Sequence, residues 1–213
     1  MAIISKEEQE KIKKFFQEKM KDKVNILYFA DENDCQYCNE TRELLTELSE
    51  LSDLINLETY MIDDEKAEEY GIDRTPATIF IDEEGHDLNV HFYGIPSGYE
   101  FNTLLEDIVD ISTKSPDLPD EVIDEIKAID EDVLLQVFVT PTCPYCPPAV
   151  MLAHRLAYYS DKVTADMVEV QEFPHLANKY GVQGVPRSVV NEKWFMEGAA
   201  PEAMLIAKIK ESL

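Results

Sequence analysis

Two similar stretches decide the fold, NILYFADENDCQYC at residues 25–38 and LLQVFVTPTCPYC at residues 134–146. Each begins with an apolar run that has the length and composition of a buried strand. A short connection and a C-x-Y-C motif follow, and the residues after each motif show the apolar spacing of a helix. Both motifs are therefore predicted to lie where a strand ends and a helix begins.

The chain of 213 residues carries further landmarks twice, in the same order and at nearly constant separation. Recurrence of this kind indicates an internal duplication. The matched landmarks are Cys35 and Cys143, the Y-G-I and Y-G-V segments at 70–72 and 180–182, Pro76 and Pro186, and Gly94 and Gly198.

The duplication divides the chain into two predicted domains. Each copy holds about 100 residues, which is a common domain size. The polar stretch 112–117 contains Pro116, and Pro119 follows it, so helical continuity is broken there. We predict one domain at 1–115 with the C-Q-Y-C motif and a second at 116–213 with the C-P-Y-C motif.

Apolar periodicity and turn residues predict the order α-βαβ-α-ββα in both copies. The strand–helix–strand unit that contains each motif implies a parallel crossover, and the later strand pair forms a hairpin. We expect an α/β protein of two tandem thioredoxin-like domains, each a mixed four-stranded sheet flanked by helices. The predicted elements are 5–21, 24–29, 35–51, 57–62, 65–70, 77–81, 88–92 and 98–111, then 121–129, 134–139, 143–159, 166–170, 174–180, 188–190, 194–196 and 201–211.

A cysteine pair at such a strand–helix junction is suited to disulfide exchange. Residues three apart on a helix have Cβ atoms about 5 to 6 Å apart, near enough for a disulfide to close. The free amides and the positive end of the helix dipole stabilise a thiolate, which is the attacking form of cysteine. We predict that Cys35 and Cys143 attack the substrate, and that Cys38 and Cys146 then resolve the mixed disulfide.

A structural zinc site is the alternative for two C-x-x-C pairs. In such sites the pairs usually lie about 12 to 20 residues apart. Here 104 residues separate Cys38 from Cys143. We therefore favour redox chemistry and predict no metal site, and we keep a zinc protein or a redox-inert protein-binding scaffold as the alternative function.

Composition excludes several classes of partner. The chain has 19 Lys and Arg residues against 44 Asp and Glu residues, a formal net charge of −25. This charge repels nucleic-acid phosphates and anionic membrane surfaces. The N-terminal residues lack the apolar run of a secretory signal, and no apolar stretch approaches the roughly 20 residues of a membrane helix. We expect a cytoplasmic protein that binds neither nucleic acid nor membranes.

The two cysteine motifs, together with the I-D-R-T-P-A segment at 72–77 and the V-P pair at 185–186, resemble the glutaredoxin-like protein disulfide oxidoreductases of thermophilic archaea and bacteria. These are tandem thioredoxin folds, and the resemblance spans nearly the whole chain. It implies cis peptide bonds before Pro76 and Pro186, with Thr75 and Val185 presenting backbone to a substrate strand. It also implies protein substrates, reduction by a thioredoxin reductase, isomerase activity, and no cofactor beyond the protein's own redox-active disulfides.

The two sites are predicted to differ from thioredoxin and from each other. The strand position six residues before the first cysteine, where many thioredoxins carry a buried acid, is Phe29 in one copy and Val137 in the other. A proton acceptor must therefore come from elsewhere in the protein or from water, and the sequence names no general base.

Charge around the cysteines also differs between the copies. Four acids flank the first pair, whereas the second lacks nearby acids and has Arg187 after its matched proline. We hypothesise that Cys143 has a lower pKa than Cys35. Tyr37 and Tyr145 are expected to pack beside the sulfurs. The flanking acids are Asp31, Glu32, Asp34 and Glu40.

Overall fold

The computed structural model describes residues 3–213, and both copies show the predicted order of elements. The first copy contains α1 (Lys6–Lys19), β1 (Val24–Ala30), α2 (Cys38–Ser49), β2 (Ile55–Met61), α3 (Glu65–Glu69), β3 (Ala77–Ile81), β4 (Asp87–Tyr93) and α4 (Glu100–Thr113). The second contains α5 (Asp120–Lys127), β5 (Val133–Val139), α6 (Cys146–Tyr158), β6 (Val163–Glu169), α7 (Pro174–Lys179), β7 (Arg187–Val190), β8 (Trp194–Glu197) and α8 (Glu202–Ser212).

Helix α1 begins where its sequence predicts. The Ser5 side chain accepts a hydrogen bond from the Glu8 N–H, and the Glu8 side chain accepts one from the Ser5 N–H. This capping box satisfies two amides that the helix itself leaves unpaired. Ile12 and Phe16 lie on the buried face, so the local signal and the packing agree.

The strands form a single eight-stranded sheet in the order β2-β1-β3-β4-β6-β5-β7-β8. Within each copy the four strands have the predicted mixed arrangement, with one parallel pair and two antiparallel pairs. The copies are joined by parallel pairing of β4 with β6, from Val90 opposite Ala165 to Tyr93 opposite Val168. This junction was not predicted from the sequence. It makes one sheet in which six strands run in one direction and β3 and β7 run in the other.

Apolar side chains pack on both faces of the sheet. The larger cluster joins the strands to α1, α2, α4, α6 and α8, with Phe16, Leu48 and Leu156 among its fully buried members. The smaller cluster lies on the opposite face, where Ala67 of α3 and Leu176 of α7 pack. The larger cluster is continuous across the two copies, so their packing supports the shared sheet.

A buried polar group lies at the junction of β4 and β6. The His91 ring is hydrogen-bonded through Nδ1 to Asp166 at 3.1 Å and through Nε2 to Asp87 at 2.9 Å. Gln136 donates to Asp166 at 3.3 Å. Burial opposes the charged imidazolium, but the two carboxylates raise the pKa of His91 to about 10. The junction therefore contains a buried charge whose partners come from both copies.

The segment between α4 and α5 runs from residue 114 to residue 119. The domain boundary at residue 115 falls in this segment and stays a prediction. Within residues 3–213, no helix is both long enough and apolar enough to cross a lipid bilayer.

Candidate functional site

Each C-x-x-C pair is closed into a disulfide. Cys35 is bonded to Cys38 and Cys143 to Cys146, and the Cα atoms are 5.5 Å apart in both pairs. This distance lies at the centre of the range for unstrained disulfides. The geometry required for reversible closing is thus present in both copies.

The helix position of the cysteines differs from the prediction. Helices α2 and α6 begin at the second cysteine, Cys38 or Cys146, and the first cysteine lies three residues before the helix. The tyrosine between them serves as the N-cap residue without a side-chain hydrogen bond. No N-cap side chain therefore pairs with the amides of the first turn, which lie beside the disulfide. These amides still favour negative charge on sulfur at the start of the helix.

Both disulfides lie at the same end of the sheet, beyond the C-terminal ends of two inner strands. They follow β1 and β5, which run in the same direction. The register places Phe29, Ala77, Tyr93, Val168 and Phe138 side by side across the sheet. Four strand spacings of about 4.8 Å each separate β1 from β5, about 19 Å in all. Both sites therefore lie at the same end of the molecule.

The distance between the pairs bears on the zinc alternative. Four sulfurs that share one zinc ion each lie about 2.3 Å from the metal. A separation of about 19 Å between β1 and β5 rules out this arrangement within the folded chain. In residues 3–213 no group of three or more His, Cys, Asp or Glu side chains is arranged so that it could hold a metal ion.

The two cysteines of each pair differ in exposure. Cys35 is half-buried, whereas Cys38 is only 3% exposed. Cys143 is 7% exposed and Cys146 is completely buried. In both copies the first cysteine is the more exposed residue, which fits attack on a substrate by the first cysteine and resolution by the second.

The peptide bonds before Pro76 and Pro186 are both cis, as the family resemblance implies. Each proline directly precedes the strand that pairs with β1 or β5, so it lies next to the strand that leads to a disulfide. Thr75 and Val185 are half-buried, and both prolines are buried. Substrate binding at these four residues stays a prediction.

In the first copy, Phe29 is the wrong counterpart of the buried thioredoxin acid. Strands β1 and β5 both have seven residues, so Val137 corresponds to Tyr28 and not to Phe29. The misassignment arose because four residues connect β1 to Cys35, whereas three connect β5 to Cys143. Tyr28 is fully buried and donates a hydrogen bond to the Cys38 carbonyl at 2.7 Å. Burial raises the pKa of Tyr28, so this phenol stays protonated at neutral pH.

A buried carboxyl that sequence reasoning missed lies near the second disulfide. Helices α4 and α6 pack side by side and parallel, with Asp107 bonded to His154 at 2.6 Å and Asp110 to Arg155 at 2.7 Å. By this register Glu100, at the start of α4, is level with the first turn of α6, the helix that begins at Cys146. Glu100 is 1% exposed, and burial raises its pKa to about 7.

Contacts between the two copies hold Glu100 at this place. The Tyr99 N–H donates to the Pro141 carbonyl at 3.0 Å, and Gly98 lies directly against the same carbonyl. Pro141 belongs to the connection that leads from β5 to Cys143. A side chain at position 98 would collide with it, and Gly98 also has a positive φ of 61°. The only signal in the sequence was a glutamate at the start of a helix, which is common in any protein.

One expectation about neighbouring side chains is wrong, and the basis of a second is weakened. Tyr145 is 72% exposed and does not pack beside the sulfurs, whereas Tyr37 is half-buried. Arg187 is bonded to Glu197 at 2.8 Å and lies over the Phe195 ring. Its charge is therefore already neutralised on β8, and it gives little support to a thiolate at Cys143.

Comparison with known proteins covers both copies. A family model described as a thioredoxin-like domain matches residues 9–108, and one described as a thioredoxin domain matches residues 133–211. The structure is similar to that of a protein disulfide oxidoreductase from Aeropyrum pernix, at 27% identity and a TM-score of 0.91 over 99% of this chain and 94% of that one. It is also similar to a structure of the alkylhydroperoxide reductase component AhpF of Enterococcus faecalis, at 29% identity and a TM-score of 0.88 over 96% of this chain and 98% of that one.

Curated relatives belong to the same reductase. The corresponding alkyl hydroperoxide reductase component of Staphylococcus aureus is 26% identical over 185 residues, which are 87% of this chain and 34% of the relative. Its counterpart in Staphylococcus epidermidis is 26% identical over 171 residues, which are 80% of this chain and 31% of the relative. The chain thus spans about a third of the length of the curated relatives it matches.

Proposed function

We propose that this chain, which consists of two thioredoxin-like domains, is a thiol–disulfide oxidoreductase that exchanges disulfides with protein substrates at both C-x-x-C sites. One observation carries the proposal. Each disulfide lies at the start of a helix, next to a strand that begins after a cis-proline, with its first cysteine the more exposed of the two. The similarity to the Aeropyrum pernix oxidoreductase, which extends over both domains, supports it.

The exchange at the first site runs in two displacement steps. The Cys35 thiolate attacks one sulfur of a substrate disulfide, the substrate bond breaks, and the departing substrate sulfur takes up a proton. Cys38 then loses its proton and attacks Cys35 Sγ, which releases the second substrate sulfur. The substrate gains two electrons and two protons while Cys35 and Cys38 form a disulfide. Cys143 and Cys146 act in the same way at the second site.

Substrate docking follows from the sheet edge beside each disulfide. An extended substrate segment pairs with backbone at Thr75 or Val185, which sets its sulfur near Cys35 or Cys143. The 72% exposed ring of Tyr145 offers apolar contact next to the second disulfide. The negative net charge of −25 favours basic segments as substrates.

The remaining parts of the proposal concern donor, cofactor and location. The redox groups are the two disulfides themselves, with no further cofactor. A thioredoxin reductase is proposed as electron donor, and the cytoplasm as the location, where thiols are kept reduced. Coupling of NADPH oxidation to insulin reduction by a purified thioredoxin reductase and this protein tests the donor, and cell fractionation tests the location.

Insulin reduction with dithiothreitol as reductant tests the function directly. The wild type and the variants that keep one pair, Cys35→Ser/Cys38→Ser and Cys143→Ser/Cys146→Ser, should accelerate the reaction. The variant with all four cysteines replaced by serine should not exceed the uncatalysed rate. Equal activity of the wild type and this last variant would refute the proposal.

Isomerase activity follows from having two sites in one molecule. The strands that lead to the two sites, β1 and β5, are about 19 Å apart, a span that about six extended residues can cover. Refolding of scrambled ribonuclease should then be faster with both pairs than with an equimolar mixture of the two single-pair variants. If the mixture is as fast as the wild type, the two sites act independently and isomerase activity gains nothing from their linkage.

A further inference from the structure

The connection from β6 to α7 in the second domain packs against the first domain at Gly94. Gly94 follows β4, donates to the Pro76 carbonyl at 2.9 Å and has a φ of 99°. A Cβ atom here would lie 2.6 Å from Glu169 Cβ and 2.7 Å from Glu172 Oε1. Because position 94 has no side chain, two glutamates of the second domain can lie against the first domain next to Pro76.

These glutamates lie on the face of the sheet that carries the first disulfide's helix. Along β6 the side chains alternate, so Glu169 points to the same side as Met167, which belongs to the core cluster that contains Cys38. The register places Ala30, Pro76, Gly94 and Glu169 next to one another, following the paired positions before them. Ala30 ends the strand that leads to Cys35.

Charged side chains of both domains lie near Glu172, and one of them is on the helix that begins at the first disulfide. Glu172 lies within electrostatic reach of Glu40 on α2 and of Glu169 on β6. Burial raises the pKa of Tyr28, Arg42 lowers it, and the charge of Glu172 raises it further. Tyr28 donates to the Cys38 carbonyl at 2.7 Å. The Asp31 N–H, directly after Ala30, donates to Cys38 Sγ at 3.4 Å. The sulfur of the resolving cysteine therefore lies at the end of β1, in the row that contains Pro76 and Gly94.

The hydrogen bonds of the two carboxyls leave one oxygen free on each. Glu172 Oε1 accepts from the Ile95 N–H at 2.7 Å, and Glu169 Oε2 accepts from the Glu172 N–H at 2.8 Å. Glu172 Oε2 and Glu169 Oε1 are buried and have no hydrogen-bond partner within residues 3–213. Burial, with a contribution from Glu169 and Glu40, raises the pKa of Glu172 to about 7. This carboxyl can therefore both accept and release a proton near neutral pH.

We propose that Glu172 exchanges the proton of Cys38, so that the second domain supplies the proton acceptor of the first site. The inference rests on the proposed function. Glu172 carboxylate takes the proton of the Cys38 thiol, and the resulting thiolate attacks Cys35 Sγ in the mixed disulfide. The bond between Cys35 and the substrate sulfur breaks, and that sulfur leaves with the electron pair and receives the proton from the Glu172 carboxylic acid. No other oxidant or reductant is needed. This role explains why the strand position itself holds Tyr28, which cannot accept a proton.

The test measures the attack by Cys38 alone. The full chain carrying Cys143→Ser/Cys146→Ser is loaded at Cys35 with thionitrobenzoate, and release of the coloured thiol is followed across about pH 5 to 9. We expect the release rate to rise through about pH 7 with Glu172 present. In Glu172→Gln the rise near this pH should disappear and the rate above it should fall about tenfold or more. Superimposable profiles would overturn the proposal.

A matched control separates this effect from a general change of charge. Glu192→Gln removes a carboxylate of the same domain that is bonded to Lys179 at 2.8 Å, away from the disulfide. It should leave the release profile unchanged, and a loss equal to that of Glu172→Gln would overturn the proposal. Insulin reduction by the parent single-pair variant reports separately whether the site exchanges disulfides at all, so failure of the two proposals can be told apart.

A second measurement needs no variant of Glu172. The carboxyl carbon of Glu172, labelled with carbon-13, is titrated by NMR in the oxidised and reduced forms of the same single-pair protein. Because a nearby thiolate and carboxylate repel each other, its titration midpoint should rise on reduction of Cys35–Cys38. An identical midpoint in both forms would contradict proton exchange with this site.

Discussion

The two disulfides occupy equivalent positions in the two domains, yet their surroundings differ. Exposed or half-exposed acids surround Cys35–Cys38, whereas Cys143–Cys146 lies among threonines and prolines and has the more buried first cysteine. A carboxyl of the other domain lies at the interface beside each site, Glu172 against Gly94 and Glu100 directly after Tyr99, which donates to the Pro141 carbonyl. The fold thus fixes where the sulfurs lie, while loops and the domain interface set their charge environment.

The junction between the domains gives the largest expected effect, and it tests whether the sites depend on one shared sheet. Asp166→Ala removes a buried partner of the charged His91 and should lower the free energy of unfolding by about 3 kcal/mol or more. Urea denaturation monitored by circular dichroism measures this loss. If the domains then unfold in separate steps, each site can be studied without the carboxyl of the other domain.

Asp132→Ala is the control, because Asp132 is 89% exposed and bonded to Lys162 at the surface. It should cost less than about 1 kcal/mol. A loss in Asp166→Ala no larger than that in Asp132→Ala would show that the His91 group does not hold the domains together.

The same junction makes stability depend on pH. The pKa of His91 is raised from 6.5 to about 10 in the folded protein. The contribution of charged His91 to the free energy of unfolding is therefore complete below about pH 6.5 and is lost as the pH rises through about 10. The urea midpoint of the wild type should fall as the pH rises from about 8 to about 10, and His91→Gln should lack this component. A wild-type midpoint that follows the His91→Gln curve would contradict a charged His91.

Substitution of Glu100 should have a smaller effect, limited to the rate of disulfide exchange at the second site. With Cys35→Ser/Cys38→Ser as background, Glu100→Gln should slow insulin reduction about tenfold above pH 7. Because burial raises the pKa of Glu100 to about 7, the profile of the parent should rise through that pH. Glu125→Gln, which removes a surface carboxylate bonded to Lys210 at 2.7 Å, is the control. Equal profiles for Glu100→Gln and the parent would exclude proton exchange by Glu100.

The thiolates themselves give the smallest expected difference. We predict that Cys143 has a lower pKa than Cys35, since exposed acids near the first pair disfavour its thiolate. Ultraviolet absorbance of the thiolate against pH, in the two reduced single-pair variants, measures both values. Because Arg187 is held by Glu197, the prediction now depends on the flanking acids alone. A lower pKa at Cys35 would show that these acids are screened by solvent.

Local patterns were sufficient to predict most of the fold. Apolar runs, the capping box at Ser5 and Glu8, and turn residues placed the helices and strands of both copies within a few residues. The pairing of β4 with β6 was not predictable, because two strand edges that meet across domains leave no local pattern in either strand. The sequence shows His91 and Asp166 only as isolated polar residues in apolar runs.

The cysteines and cis-prolines of the candidate site were predictable from spacing and resemblance, but the groups around them were not. Tyr28 was missed because one extra residue after β1 shifts the count from the cysteine by one. Glu100 and Glu172 were missed because each reaches the other domain only through packing at the interface, beside Pro141 and against Gly94. Sequence distance gives no sign of that proximity. Under the proposal for Glu172, proton exchange at the first site depends on both domains.

Redox titration of each cysteine pair decides whether both disulfides are reversible redox groups. The full wild-type chain is equilibrated in dithiothreitol buffers of graded potential, its thiols are alkylated, and peptides with each cysteine pair are quantified by mass spectrometry. We predict that both pairs convert reversibly between disulfide and dithiol as two-electron couples. A pair that stays oxidised throughout, or four thiols that are protected by a bound zinc ion, would contradict this assignment.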